Sequence, residues 1–299
     1  MAKTEPPGHL SWATTRVDGR RAVYGVGGHG LPVLFLHGWA LGSRAYKRAL
    51  KRLIRLGCRV YAPALPDFGG TEGLPAGHND LGDYAGWTAA FLDAVGVDEP
   101  VLVAGHSLGG AVGTRLAHDF PDRVSHLVLI NSSGASVWLD APGHRRLLSE
   151  RPVWDWVISF SKDILVSDRV VPTVRAIAED CLPNLVHNPM GLVRAAAMAR
   201  RVDLAAELAA LREAGVPVMA VSSEGDLIVP PASFRELCAT LGVQGRVVPG
   251  RHSWLLASPE QFAGVMVQAV GAAGAARAAR AGLQGRVVAL YPDRLAASG

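Results

Sequence analysis

Four short, largely apolar runs at residues 33–36, 59–62, 101–104 and 127–130 recur along the chain, separated by amphipathic stretches that end in glycine. A run this short, bounded by turn residues, suits a strand buried on both faces. Parallel neighbours in one sheet need crossover connections of a dozen residues or more, and the intervening stretches have that length. Their apolar residues follow a helical period: Tyr46, Leu50, Leu53 and Ile54 form one stripe closed by Gly57, and Tyr84, Trp87, Phe91, Leu92 and Val95 form another closed by Gly96. The pattern predicts a mostly parallel sheet with flanking helices. Upstream, residues 11–17 and 21–26 flank Asp18-Gly19, a pair that favours the positive φ angles of a tight hairpin, so two antiparallel strands should open the fold.

Past Asn131 the rhythm breaks. Residues 132–202 offer no clear buried strand but hold Trp138, Trp154, Trp156, Phe160 and many arginines, which reads as a helical lid inserted after the sixth strand. Strand-like runs resume at 216–222 and 246–248 with a helix between them at 232–241. The expected division is a core of residues 1–131 and 203–270, a lid of 132–202, and an Ala/Gly/Arg-rich tail of 271–299 that frays from a helix.

Composition narrows the class. The 299 residues are 49% hydrophobic and 19% charged, which excludes disorder and allows one large core. The net charge is only +4 and the bases are dispersed, so the pI of about 9.2 does not point to nucleic acid. Residues 44–59 carry seven bases and no acid, interleaved with apolar residues at helical spacing, and read as the solvated face of a helix. Cys58, Cys181 and Cys238 lack the spacing of a metal site or a disulfide framework, so a reducing, cytoplasmic setting is expected, with no metal. Neither a signal-like apolar stretch at the start nor an uninterrupted membrane span is evident in the sequence.

The chemistry centres on Gly105-His106-Ser107-Leu108-Gly109, which follows the run at 101–104 and opens a helix-forming stretch. A serine on so sharp a strand-to-helix turn has a strained backbone, and only very small residues fit two positions either side of it. Gly105 and Gly109 meet that need, and Gly110, Ala111 and Gly113 let the following helix approach the sheet closely. The helix N-terminus favours negative charge developing beside the serine. His37-Gly38-Trp39 leaves the strand at 33–36 and can aim a backbone N–H at the same point, so Trp39 and Leu108 are the expected oxyanion donors and His37 a structural residue.

A serine hydroxyl is a poor nucleophile near neutral pH and needs a neutral imidazole within hydrogen-bond reach. Of ten histidines His252 fits, since it lies in a loop after the last strand, whereas His118, His126, His144 and His187 fall in helix, strand or insertion contexts. The base needs a carboxylate to hold its tautomer. Asp226, after the strand at 216–222, is preferred to its neighbour Glu224 because a glycine precedes it and apolar residues follow it.

These motifs, with Gly225-Asp226-x-x-Val229-Pro230 and Gly250-x-His252, resemble those of the α/β-hydrolase-fold superfamily, bacterial serine hydrolases with a Ser-Asp-His order, over residues 23–270. The resemblance implies the α/β-hydrolase fold and a cofactor-free, esterase-like activity. Ser107 distinguishes the chain from related dehalogenases and epoxide hydrolases, which use aspartate as nucleophile. In the stretch from Ala64 to Thr71 the family usually has aspartate where Ala64 stands and glycine where Asp67 stands, and Asp67 is read as a turn residue that tolerates left-handed angles.

The expected function is hydrolysis of a carboxylic ester or related acyl compound through an acyl-enzyme on Ser107. Acyl transfer and carbon–carbon bond hydrolysis use the same groups, and a non-catalytic ligand-binding protein would keep the fold without turnover. The expected ligand is a small apolar acyl compound, with Trp138, Trp154, Trp156 and Phe160 lining its pocket from the lid. Oligomeric state is not legible in the sequence.

Overall fold

The computed structural model of the protein describes residues 9–135, 137–139, 145–147, 150–152, 159 and 170–282. Strands β1 (Leu10–Val17) and β2 (Arg20–Gly27) form the opening hairpin, and both turn residues take positive φ, 49° at Asp18 and 78° at Gly19. Two positive φ angles match the turn to the right-handed twist of the strands. β3 (Leu31–Leu36), α1 (Lys47–Arg55), β4 (Cys58–Pro63), α2 (Leu81–Ala94), β5 (Val101–His106), α3 (Leu108–Asp119) and β6 (Val124–Ile130) follow in regular alternation.

Between β6 and the next strand of the sheet, the described residues form a small antiparallel pair, β7 (Val137–Leu139) with β8 (Arg145–Leu147), and the helices α4 (Val170–His187) and α5 (Pro189–Arg200). The hairpin was not legible in the sequence, because three-residue strands outside the main sheet leave too short a pattern. Trp138 lies in β7 opposite Arg146, whereas Trp154, Trp156 and Phe160 lie outside the described residues. The chain returns through α6 (Ala205–Glu213), β9 (Val218–Ser223), α7 (Pro231–Leu241), β10 (Arg246–Val248), the single turn α8 (Trp254–Ala257) and α9 (Pro259–Arg280). α9 runs ten residues past the expected core boundary at 270 without a break, burying Ala273 and pairing Arg277 with Glu99. By length and mean hydropathy α9 could cross a membrane, but so could a core helix, and α9 packs Phe262, Val265 and Met266 into the core.

The eight main strands form one sheet in the order β1-β2-β4-β3-β5-β6-β9-β10. Only β2 opposes the others, and every pairing from β4 onward is parallel. Every residue of β3 and β5 is buried, as expected of central strands covered on both faces. Side chains of α2, α3, α6 and α7 build one apolar core, and those of α1, α8 and α9 build the other on the opposite face. At ~25 cal/mol per Å² of apolar area removed from water, these two layers dominate the stability of the fold. The carboxyl ends of β3, β5, β6, β9 and β10 all open on one edge of the sheet, where ligands of such sheets bind.

Candidate active site

Ser107 stands between β5 and α3 with φ 54° and ψ −118°. A non-glycine residue held there stores strain that its surroundings must over-determine. They do: its N–H donates to Ile130 O at 3.0 Å, and its carbonyl accepts from Gly110 N–H at 3.0 Å and Ser133 N–H at 3.3 Å. The glycines have steric reasons. A Cβ on Gly105 would lie 2.4 Å from Gly109 O, one on Gly109 would lie 2.3 Å from Leu36 O, and one on Gly110 would lie 2.2 Å from Ser132 Oγ. The turn therefore packs against the end of β3, and a Cβ on Gly38 would sit only 3.3 Å from Ser107 Cβ. The segment bearing Trp39 thus borders the serine on one side, and Leu108 heads α3 on the other.

The structure brings Asp226 and His252 together. His252 Nδ1 lies 3.1 and 3.0 Å from the two carboxylate oxygens of Asp226, and both side chains are buried. Oδ1 also accepts from the N–H groups of Ile228 at 2.8 Å and Val229 at 2.9 Å, so the turn after β9 holds the carboxylate. Burial would raise the Asp226 pKa, but His252 and the hydrogen bonds from His252, Asn131 and Val229 outweigh it and hold the acid below its ordinary value. Glu224 is exposed, which separates it from this pair.

His37 and His106 have structural roles in this geometry. His37 Nε2 accepts from Leu65 N–H at 2.8 Å, which leaves the proton on Nδ1 to donate to Gly38 O at 2.8 Å. Burial lowers its pKa to about 4, so the ring stays neutral. His106 Nε2 donates to the carbonyl of His252 at 3.0 Å, and its Nδ1 accepts from Tyr46 Oη at 2.9 Å. Tyr46 Oη in turn accepts from Gly38 N–H at 3.2 Å. The residue just before the serine thereby joins the loop after β3 to the loop that carries His252. Burial, with a smaller contribution from the charge of His252, lowers the His106 pKa to about 3.

Two residues of this region were not singled out in the sequence. Asn131, fully buried at the end of β6, donates to Asp226 Oδ2 at 2.5 Å and Ser223 Oγ at 2.8 Å while its Oδ1 accepts from Trp254 Nε1 at 2.7 Å. A polar amide directly after an apolar strand, on the edge where Ser107 lies, was the available signal. Asp180 of α4 accepts from the N–H groups of Gly42 at 2.7 Å and Ala45 at 3.0 Å, and burial raises its pKa despite those bonds. Asp67 has φ 75°, the left-handed angle of the turn reading, and its buried carboxylate also accepts from Asn188 at 2.6 Å and Arg194 at 3.0 Å. The missing glycine is thus replaced by a residue that both turns the chain and anchors α5.

Fold and site together define a doubly wound hydrolase scaffold with a strained serine at the carboxyl edge and a buried acid–imidazole pair beside it. The chain belongs to the alpha/beta hydrolase family, whose profile matches residues 33–265. It is 30% identical over 254 residues to a pimeloyl-[acyl-carrier protein] methyl ester esterase of Aromatoleum aromaticum, covering 80% of this chain and 97% of that protein. It is also 30% identical over 259 residues to a protein of Mycobacterium phage D29 provisionally named a non-heme haloperoxidase, covering 85% and 92%. Among solved structures it is similar to a thermophilic esterase of Thermogutta terrifontis, with a TM-score of 0.66, 22% identity and coverage of 88% and 99%.

Proposed function

We propose that the protein is a serine hydrolase that cleaves a carboxylic ester or related acyl substrate through an acyl-enzyme on Ser107. The observation that carries this reading is the strained, positive-φ serine at the head of α3, with the Asp226–His252 pair tied to the adjacent His106. Asp226 accepts the Nδ1 proton of His252, which fixes the tautomer whose Nε2 takes the proton of Ser107 Oγ as that oxygen attacks the acyl carbon. The tetrahedral oxyanion then faces the backbone N–H groups of Trp39 and Leu108, where the dipole of α3 adds to the stabilisation. Collapse expels the alcohol, which takes the proton back from His252, and a water activated by the same imidazole releases the acid. No cofactor is needed for any step. The esterase names of the Aromatoleum and Thermogutta proteins support an ester as the bond cleaved.

A fluorophosphonate probe tests the reading. The parent protein should be labelled at Ser107 and should turn over short p-nitrophenyl esters with or without a metal chelator. Ser107→Ala should lose both properties while keeping its melting temperature, because the hydroxyl contributes little packing. Ester turnover that survives this change would remove Ser107 from the mechanism.

A further inference from the structure

The loop that carries Trp39 is held in part from outside. It leaves β3 after Leu36 and passes through Ala40 at φ 67°, a left-handed angle that strains an alanine, before reaching the short 3-10 turn Ser43–Tyr46, which has no side-chain cap. Beyond its own Gly38–Tyr46 bond, several of its polar groups are met from α4 and α5. Asp180 Oδ2 accepts from both Gly42 N–H and Ala45 N–H, Asn184 Nδ2 donates to Ala40 O at 3.1 Å, and Trp39 Nε1 donates to Leu192 O at 2.9 Å. Asp180 and Asn184 stand four residues apart in α4, so they share one face of that helix. Asp180 and Asn184 are buried on that face, whereas Leu182, Leu185 and Val186 are exposed. Asn184 Oδ1 also accepts from Gly69 N–H at 2.8 Å, which ties the same face to the loop after β4.

We propose that Asp180 is a positioning residue for the oxyanion hole: with Asn184 it clamps residues 39–45 from the inserted helices and so sets where the backbone N–H of Trp39 points. This rests on the reading of Ser107 as nucleophile and Trp39 as oxyanion donor. The helix pair is then a fixed part of the site's wall on this side. The physical case is one of strain and leverage. A left-handed alanine beside the donor relaxes once its external bonds are cut, and an oxyanion donor works only within ~2.7–3.1 Å of the developing charge. A displacement of ~1 Å at such a point can cost ~100-fold in rate. A carboxylate suits the clamp because one oxygen can accept two backbone N–H groups, the arrangement present here.

The test compares Asp180→Ala, Asp180→Asn and Asn184→Ala in the full chain, with Ser107→Ala as control. The measurements are kcat and KM on a p-nitrophenyl ester, inhibition by a trifluoromethyl ketone that forms an oxyanion on the serine, and thermal melting. Asp180→Ala should lower kcat about 10- to 100-fold with KM changed less than about 2-fold, and weaken the ketone by the same factor as kcat/KM. Asp180→Asn, whose amide oxygen can still accept both N–H groups, should recover most of that loss. Asn184→Ala should show the same signature at several-fold. The pH at which kcat/KM half-falls should not move, because the Asp226–His252 pair is untouched. If Asp180→Ala does not fold, Asn184→Ala decides. Folded variants with parental kcat and ketone affinity, or with a loss confined to KM or melting temperature, overturn the proposal while a dead Ser107→Ala leaves the serine reading standing. An active Ser107→Ala overturns both.

Discussion

Asn131 has φ 45°, and its amide joins three elements: the carboxylate of Asp226 after β9, Ser223 within it, and the indole of Trp254 at the start of α8. Its amide hydrogens steady the negative charge of Asp226, and its oxygen satisfies a buried indole N–H. Asn131→Ala should therefore do two kinds of damage. The orphaned Trp254 N–H should cost about 1–3 kcal/mol of stability, seen as a fall of several degrees in melting temperature. The loosened carboxylate should cost roughly 10-fold in kcat/KM on an ester substrate under the proposed mechanism, in which Asp226 acts through orientation of His252. Unchanged activity in the folded variant would make Asn131 a packing residue alone. Glu224→Gln, an exposed change outside this network, should alter stability by less than about 0.5 kcal/mol and leave kcat unchanged. Asp226 could be picked from the sequence as a candidate because the glycine before it and the apolar residues after it are local features. Its support by Asn131 could not, because the two stand 95 positions apart.

The element that most constrains the site is the turn from β5 into α3, and its three glycines differ in what a methyl group would meet. At Gly105 the obstacles are Gly109 O at 2.4 Å and Gly110 Cα at 2.6 Å, all backbone, which cannot move without unwinding the helix start. At Gly110 the severe obstacles are the side-chain atoms of Ser132, Oγ at 2.2 Å and Cβ at 2.6 Å, with Gly105 O farther off at 3.2 Å. Two outcomes separate these cases. Gly105→Ala should destabilise by about 3 kcal/mol or more with no single rescuing partner, whereas Gly110→Ala should be largely rescued by Ser132→Gly, with a coupling of about 1–3 kcal/mol in a double-mutant cycle read by urea unfolding. Additive losses would show that the clash is relieved by backbone movement instead. This turn, the Asp18-Gly19 hairpin and the strands on either side were legible in the sequence because sterics within five residues and a short apolar period specify them. β7 and β8 were not, nor was the polar face of α4. That face is read only once the loop after β3 lies against it.

Among the described residues His37, His106 and His252 are buried between the sheet and its loops, and the first two contribute to the acid tolerance of the whole molecule. Burial holds His37 at about 4 and His106 at about 3 in the folded state, against an ordinary value of 6.5. Above 6.5 both rings are neutral whether the chain is folded or not. Below it the unfolded chain takes up protons that the fold excludes, so stability falls as pH drops, until about 4 for His37 and about 3 for His106. Each ring contributes about 1.4 kcal/mol per pH unit within its window. Urea unfolding between pH 6 and pH 4.5 should thus report the uptake of about two protons from these rings, with His126, also lowered, adding in the same direction. His37→Gln should reduce the uptake by about one proton, and an unchanged slope would reject the assignment. The sequence by itself determined the class of sheet and the tight turn around Ser107, since each is written in short patterns of residues that are neighbours along the chain. Only the tertiary structure decided that His106 holds the carbonyl of His252 from 146 positions away and that Asp180 holds Gly42 from 138 positions away. A hydrogen bond across such separations follows from how helices pack on a sheet, and it leaves no period or local composition in the sequence to be read.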